Sequence, residues 1–291
     1  MTQRHLGAFV SCAGGLYNIL DRGEALRVNT VMTHPAPPQR WNSVPFKEET
    51  IEKYLERKSK GTSIEKVYFH GIYLVNLANP DSQKFHLSKL SLLHHMELIN
   101  AIDGNGVVFH TGTFKDQPDE KVGYERVVYG INWIFENLKS KTKGKKFLLE
   151  CAAGAGGKVV GDTFEELQTI FQMLPKEVQE NVGFCLDTQH MFASGYDIVN
   201  NLEGVVKQME DILGMENIIA VHFNDSKTEF ASNKDRHEDL GKGLIGETGM
   251  KGFLNHPKLK HLDYILETPS LDEEVGAKEQ VAILQSWAEN I

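Results

Sequence analysis

The sequence predicts an α/β fold, a single-domain (β/α)8 TIM barrel, from three observations. Eight short apolar runs recur along the 291 residues, most of them separated by helical stretches. Six of the runs end directly in a histidine or a carboxylate. Neither a domain linker nor a low-complexity segment breaks the alternation. A short apolar run between turn signals reads as a strand buried on both faces, the state of a parallel strand under helices. One barrel of this kind takes about 250 residues, so 1–291 is read as one domain.

The elements follow in order. LGAFV at 6–10 and VNTVM at 28–32 are the first two strands. EKVYF leads into His70, GVVF into His110, KFLL into Glu150, GFCL into Asp187, IIAV into His222 and DYIL into Glu267. Helices are expected at 91–102, 124–138, 163–174 and 196–213. In the last, Ile198, Leu202, Val205, Val206, Met209 and Leu213 form an apolar stripe of helical period. The longest segments between strands follow strands 2, 3 and 7, where loops can frame a substrate groove.

Parallel barrel strands end on a common face, so six ligand-type residues at strand ends converge. Two loops add three more: His190, three residues after Asp187, and Asp235 with His237 after strand 7. The set is His70, His110, Glu150, Asp187, His190, His222, Asp235, His237 and Glu267. Imidazole and carboxylate are the ligands of zinc and similar divalent metals. Nine exceed what one ion of four to six coordination needs and suit two or three. Taken singly, a histidine after a strand is more often a hydrogen-bonded structural residue, and a loop aspartate a helix cap. Jointly the pattern reverses, because unpaired carboxylates gathered at one mouth would repel. The other seven histidines, His5, His34, His86, His94, His95, His256 and His261, are read as structural.

Composition sets further bounds. The chain is 41% hydrophobic and 24% charged, enough for a large core. Its formal charge of −9 gives no bulk basic character. Three bound divalent ions would cancel two thirds of that charge, all of it at the site. Cys12, Cys151 and Cys185 are odd in number and sit in or beside apolar runs, so they read as buried thiols of a reducing compartment. Cys185 shares a strand face with Asp187, which leaves a site contact open. MTQRHLGAFVS has no signal-peptide pattern and no segment approaches membrane-spanning length. A cytoplasmic protein without membrane contact is expected.

At these residues the chain resembles the endonuclease IV family of apurinic/apyrimidinic (AP) endonucleases. GFCLDTQHMFASGYD at 183–197 is similar to that family's strand-6 signature. HFNDSK at 222–227, DRHEDLGKGLIG at 235–246, LETP at 266–269 and GAFVSCAGGL at 7–16 resemble its other blocks. The likeness runs in order over almost the whole chain and matches all nine ligand positions. It implies three zinc ions per chain, manganese being an alternative at one site. One zinc would take His70, His110 and Glu150, a second Glu150, Asp187, His222 and Glu267, and a third His190, Asp235 and His237. It implies hydrolysis of the backbone 5′ to abasic sites in double-stranded DNA, as in base excision repair, leaving a 3′ hydroxyl and a 5′ deoxyribose phosphate. Glu150 would be catalytic, orienting or deprotonating the attacking water. Such a substrate places the protein near the nucleoid. No obligate protein partner is implied, and a monomer is the default.

The resemblance also implies a DNA-binding set. Tyr73, followed by Leu74, matches the aromatic that probes the gap left by an extruded nucleotide. Alignment on Trp41 puts Gln39 where the family presents an arginine, with Arg40 beside it. Arg236 would face a phosphate, although a surface ion pair explains it equally well. Gly241, Gly243 and Gly246 either admit DNA backbone or make a turn. Phe9 stands where the family usually has histidine, and Gly71 where it commonly has an aspartate that orients ligands.

Two other functions stay open. A single-metal sugar isomerase or epimerase would need only Glu150, Asp187, His222 and Glu267. A non-catalytic DNA-binding relative would not need the complete ligand set.

Overall fold

The computed structural model describes residues 4–42, 44–114, 119–154 and 159–289. Eight parallel strands close a barrel: β1 Leu6–Phe9, β2 Thr30–Thr33, β3 Lys66–His70, β4 Gly106–His110, β5 Phe147–Glu150, β6 Val182–Asp187, β7 Ile218–His222 and β8 Asp263–Leu266. Each pairs with the next, and β8 returns to β1 with Gly7 opposite Ile265. All eight are the strands expected from the apolar runs. Among the described residues no helix is long and apolar enough to cross a membrane.

Period-two alternation divides each strand between two cores. Phe69, Phe109, Leu149, Leu186, Val221 and Leu266 point outward and are buried against the helices. Burying each such side chain contributes about 1.5–3 kcal/mol. Met32, Tyr68, Val108, Leu148, Cys185, Ala220 and Ile265 point inward and fill the barrel. Two residues further along six of these strands stand the six strand-end ligand types. The same inward row that packs the barrel interior therefore surfaces at its mouth as His, Glu and Asp.

The outer helices are α1 Asn18–Leu26, α2 Glu48–Ser59, α3 Ser82–Ala101, α4 Glu120–Asn137, α5 Phe164–Met173, α6 Lys176–Gln179, α7 Thr188–Ala193, α8 Leu202–Gln208, α9 Gly246–Asn255 and α10 Glu274–Trp287. Side-chain caps start several of them. Asp81 accepts from Lys84 N at 2.9 Å, and Thr163 from Glu166 N at 3.2 Å. The helix expected over 196–213 is shorter than the periodicity predicts. Asp197 accepts from the backbone of Val199 (3.2 Å) and Asn200 (2.8 Å), which holds 197–200 in a turn. The helix begins only at Leu202 and ends in a π-helical turn, Met209–Leu213. Ile198 is buried all the same, so the apolar stripe reports burial correctly while misplacing the helix start.

Candidate metal centre

Glu150, fully buried at the end of β5, is the centre of the site. Its Oε2 lies 3.0 Å from His70 Nε2 and 3.4 Å from His110 Nε2. Its Oε1 lies 2.8 Å from His222 Nδ1 and 3.6 Å from His190 Nδ1. The two oxygens thus face different histidines. Glu267 Oε2 is 3.1 Å from His222 Nδ1, and Asp187 Oδ2 is 3.5 Å from His237 Nε2. Asp235 Oδ1 stands 3.4 Å from both His190 Nε2 and His237 Nε2.

All nine residues meet at one mouth. Groups whose ligand atoms lie within 4.8 Å of one another include His70–His110–Glu150, Glu150–Asp187–His222–Glu267 and Asp187–His190–His237. The first two are the sets that the resemblance implies. The third differs in that Asp187 joins the two histidines, because its carboxylate lies between the second and third groups. Asp235 approaches the same histidines from a half-exposed loop. That loop is brought over the mouth by a hairpin in which Asp225–Ser226 pairs with His237–Glu238.

The donor set fits divalent metal ions. Among the described residues, the ion-pair partners of Glu150, Asp187, Asp235 and Glu267 are all histidines. The Nε2 atoms of His190 and His237 face each other at 3.4 Å, an arrangement that needs a proton or a cation between two lone pairs. Three rings are locked by backbone carbonyls. His70 Nδ1 donates to Gly71 O (2.8 Å), His190 Nδ1 to Cys151 O (2.9 Å) and His237 Nδ1 to Glu267 O (3.2 Å). Each leaves Nε2 free to bind, the usual orientation of a ligating imidazole.

Charge follows geometry. Burial alone would push the Glu150 carboxyl up, but His110, His222 and His70 outweigh it and hold it well below the usual carboxylate range. Burial likewise opposes charge on His190, yet Asp187, Asp235 and Glu150 lift it to about 10. An imidazole driven this strongly to bind a proton at a carboxylate cluster is a position where a cation competes well.

Sequence reasoning misses several participants. His34, expected to be structural, lines the same cavity of about 390 Å³, with its ring 5.3 Å from His70 and 5.2 Å from Tyr73. Burial, then the neighbouring His70, lowers its pKa to about 4. It stands two residues beyond inward-facing Met32, so the period-two rule points to it. Asn224, inside the HFNDSK block, carries no role in the sequence pattern. Its Nδ2 donates to Asp187 Oδ2 at 2.7 Å, and its Oδ1 accepts from Glu267 N at 2.8 Å. Cys185 lies one layer beneath the ligands, in the barrel interior. Cys151 Sγ accepts from Asp187 N at 3.0 Å.

The departures from the family pattern have local explanations. A Cβ at Gly71 would lie 2.9 Å from Phe109 Cβ, so no side chain fits without movement. The Gly71 carbonyl itself orients His70, the task expected of an aspartate there. Phe9 packs its ring 4.9 Å from His34. The 241–246 loop is a turn held by Asp225, which accepts from Gly241, Gly243, Ile245 and Gly246 at 3.0–3.2 Å. A Cβ at Gly243 would meet Asp225 at 2.5 Å, which accounts for that glycine. Tyr73 is 67% exposed at the cavity rim and Leu74 lies beside it. Gln39, Arg40 and Arg236 are exposed. Among the described residues Arg236 makes no ion pair; its guanidinium donates to the Asp235 carbonyl.

A family model described as "Xylose isomerase-like TIM barrel" matches residues 21–287. A probable endonuclease 4 from Halothermothrix orenii is 34% identical over 282 residues, 96% of this chain and 99% of that protein. The crystal structure of endonuclease IV from Thermus thermophilus superposes with a TM-score of 0.85 at 28% identity, over 98% of each chain. A D-tagatose 3-epimerase-like protein shares the fold alone, with a TM-score of 0.72 at 18% identity over 97% of each chain. By full-length relationship, barrel and ligand set together, the chain belongs to the endonuclease IV family of the xylose isomerase-like TIM barrels.

Proposed function

We propose that this protein is a zinc-dependent DNA-repair endonuclease. It hydrolyses the phosphodiester 5′ to abasic sites in double-stranded DNA and leaves a 3′ hydroxyl and a 5′ deoxyribose phosphate. The observation that carries this reading is the division of Glu150 between His70 with His110 on one oxygen and His222 with His190 on the other. A carboxylate divided in this way would serve two ions, which sugar isomerisation at one metal does not require.

His70, His110 and Glu150 would hold one zinc, and Glu150, Asp187, His222 and Glu267 a second. His190, His237 and Asp235, with Asp187 adjacent, would hold the third. When bound, zinc supplies a low-pKa water at neutral pH and offsets charge on the leaving 3′ oxygen. The chain's own residues do the rest. Glu150 orients the water. Exposed Arg236 suits a bidentate phosphate contact. Tyr73 presents a ring at the mouth, where it can fill the gap left by an extruded abasic nucleotide. Val75, Ala152, Ala153 and Val159, with Asn76 and Thr113, line an adjoining cavity of about 420 Å³ beside His110 and Asp235, a place for that nucleotide's sugar.

Incision of a duplex with one abasic site, read on a gel against an undamaged duplex, tests the reading. Elemental analysis of the same preparation should give close to three divalent ions per chain. No incision by fully loaded protein would overturn the function. Full activity at about one ion would overturn the three-metal assignment.

A further inference from the structure

Two loops carry the candidate DNA-contacting side chains away from the metal ligands. The loop after β2 carries Gln39 and Arg40, and the loop after β3 carries Tyr73 and Leu74. Their backbones meet where Tyr73 N donates to Pro38 O at 3.0 Å. Both are then fastened to one helix, α3, by side chains spaced three residues apart and therefore neighbours on its surface.

The first fastening takes both polar groups of one peptide residue. Asn42 N donates to Ser91 Oγ at 3.2 Å. Asn42 O accepts from His94 Nδ1 at 3.0 Å and from Ser91 Oγ at 3.4 Å. The second takes Asn76, whose N donates to Ser88 Oγ at 3.0 Å, while Ser88 Oγ donates to Lys84 O at 2.9 Å. Asn76 then passes the link on, its Oδ1 accepting from Ala78 N (2.9 Å) and Thr113 N (3.2 Å). Ser88, Ser91 and His94 are all buried. A helix that only packed would have apolar residues at these positions, since a buried hydroxyl or imidazole costs free energy unless it is hydrogen-bonded. Here Ser91 and His94 bond to Asn42, and Ser88, whose hydroxyl donates within the helix, accepts from Asn76 N. Asn42 lies two residues after Arg40, and Asn76 three after Tyr73, so little chain separates anchor from contact.

We propose that Ser88, Ser91 and His94 are positioning residues for lesion discrimination: through Asn42 and Asn76 they fix the two adjoining loops that carry Arg40 and Tyr73 beside the mouth. The inference rests on the function proposed above. Neighbouring His95 acts differently. Burial drives its pKa to about 3, and it packs as a neutral ring 6.0 Å from Phe46.

The experiment compares Ser91→Ala/His94→Ala with Ser88→Ala, and uses His94→Gln as the variant that retains a donor. In the double variant, amide exchange over residues 36–42 should quicken about tenfold, with 73–79 little changed, as expected for a lost anchor. Ser88→Ala should do the reverse. KM for abasic duplex should rise about tenfold with kcat within about twofold, since the loss falls on binding. Zinc content should stay at the wild-type value, and His94→Gln should restore most of KM. Should the double variant fold poorly, Ser91→Ala alone gives the same pattern at lower amplitude. Unchanged loop exchange, or an equal loss of affinity for undamaged duplex, overturns the inference. A wild-type protein that does not incise overturns the parent reading and with it the role in discrimination. An incising wild type whose anchor variants keep wild-type KM overturns this inference alone.

Discussion

The side-chain amide of Asn224 donates to Asp187 Oδ2 at 2.7 Å, at the point where the second and third ligand groups meet. The other end of the same amide holds the backbone of Glu267 at 2.8 Å. One buried residue after β7 therefore fixes candidate ligands on β6 and after β8. Its own backbone is clamped by Thr188, whose Oγ1 accepts from Asn224 N (2.8 Å) and donates to Asn224 O (2.7 Å). Supporting contacts of this kind typically contribute 10–100-fold to metal affinity.

Asn224→Leu should leave Asp187 without that donor. The expected outcome is a zinc affinity lowered by about 10–100-fold, read by titration with a competing chelator. Apo-protein thermal stability should change much less than zinc affinity. An unaltered affinity would show that Asp187 holds its place without the amide.

Glu150→Gln keeps the shape of the side chain and removes the charge that faces four histidines. Incision should fall by about 10³-fold or more, the scale of losing a main electrostatic stabiliser. The barrel strands are untouched, so the circular dichroism spectrum should match wild type. A variant that keeps a tenth of wild-type rate would contradict a central role.

Tyr73→Ala should weaken binding to abasic duplex by about tenfold and affect undamaged duplex less, since stacking at the gap is what the ring supplies. Arg236→Ala and Arg40→Ala should each reduce the salt dependence of binding by about one counterion. Equal weakening on both DNAs by Tyr73→Ala would mean that the ring does not sense the lesion.

A pH-dependent contribution to stability is expected far from the mouth. At the opposite end of the barrel, His5 Nδ1 lies 2.7 Å from Asp263 Oδ1. That hydrogen bond, against the opposing effect of burial, raises the His5 pKa. A raised folded-state pKa means that folding favours the protonated ring. The stabilisation is full below the unfolded pKa of about 6.5 and is lost as pH rises through the higher folded value. His5→Ala should therefore cost about 1 kcal/mol at pH 5.5 and much less at pH 9, measured by urea denaturation. The same cost at both pH values would assign His5 a packing role only.

Eight strands and nine candidate ligand positions were legible in the sequence because both signals are local. A run such as GFCL followed by Asp187 carries its own burial and its own chemistry, and a barrel needs nothing more to bring six strand ends together. The 196–201 turn was not legible, because apolar spacing reports which residues are buried, while Asp197 decides the backbone by capping its own successors. His34 follows from alternation beyond Met32 once β2 is known to run inward there, a fact that needs the pairing with β1 and β3. The sharing of Asp187 between groups, the amide bridge of Asn224 and the crowding that leaves no room for a side chain at Gly71 were decided only by barrel closure. Each depends on the stagger of neighbouring strands and on distances of 2.7–3.5 Å between residues up to 50 positions apart. A linear pattern names the groups that arrive at the mouth; only the closed sheet determines which oxygen faces which nitrogen.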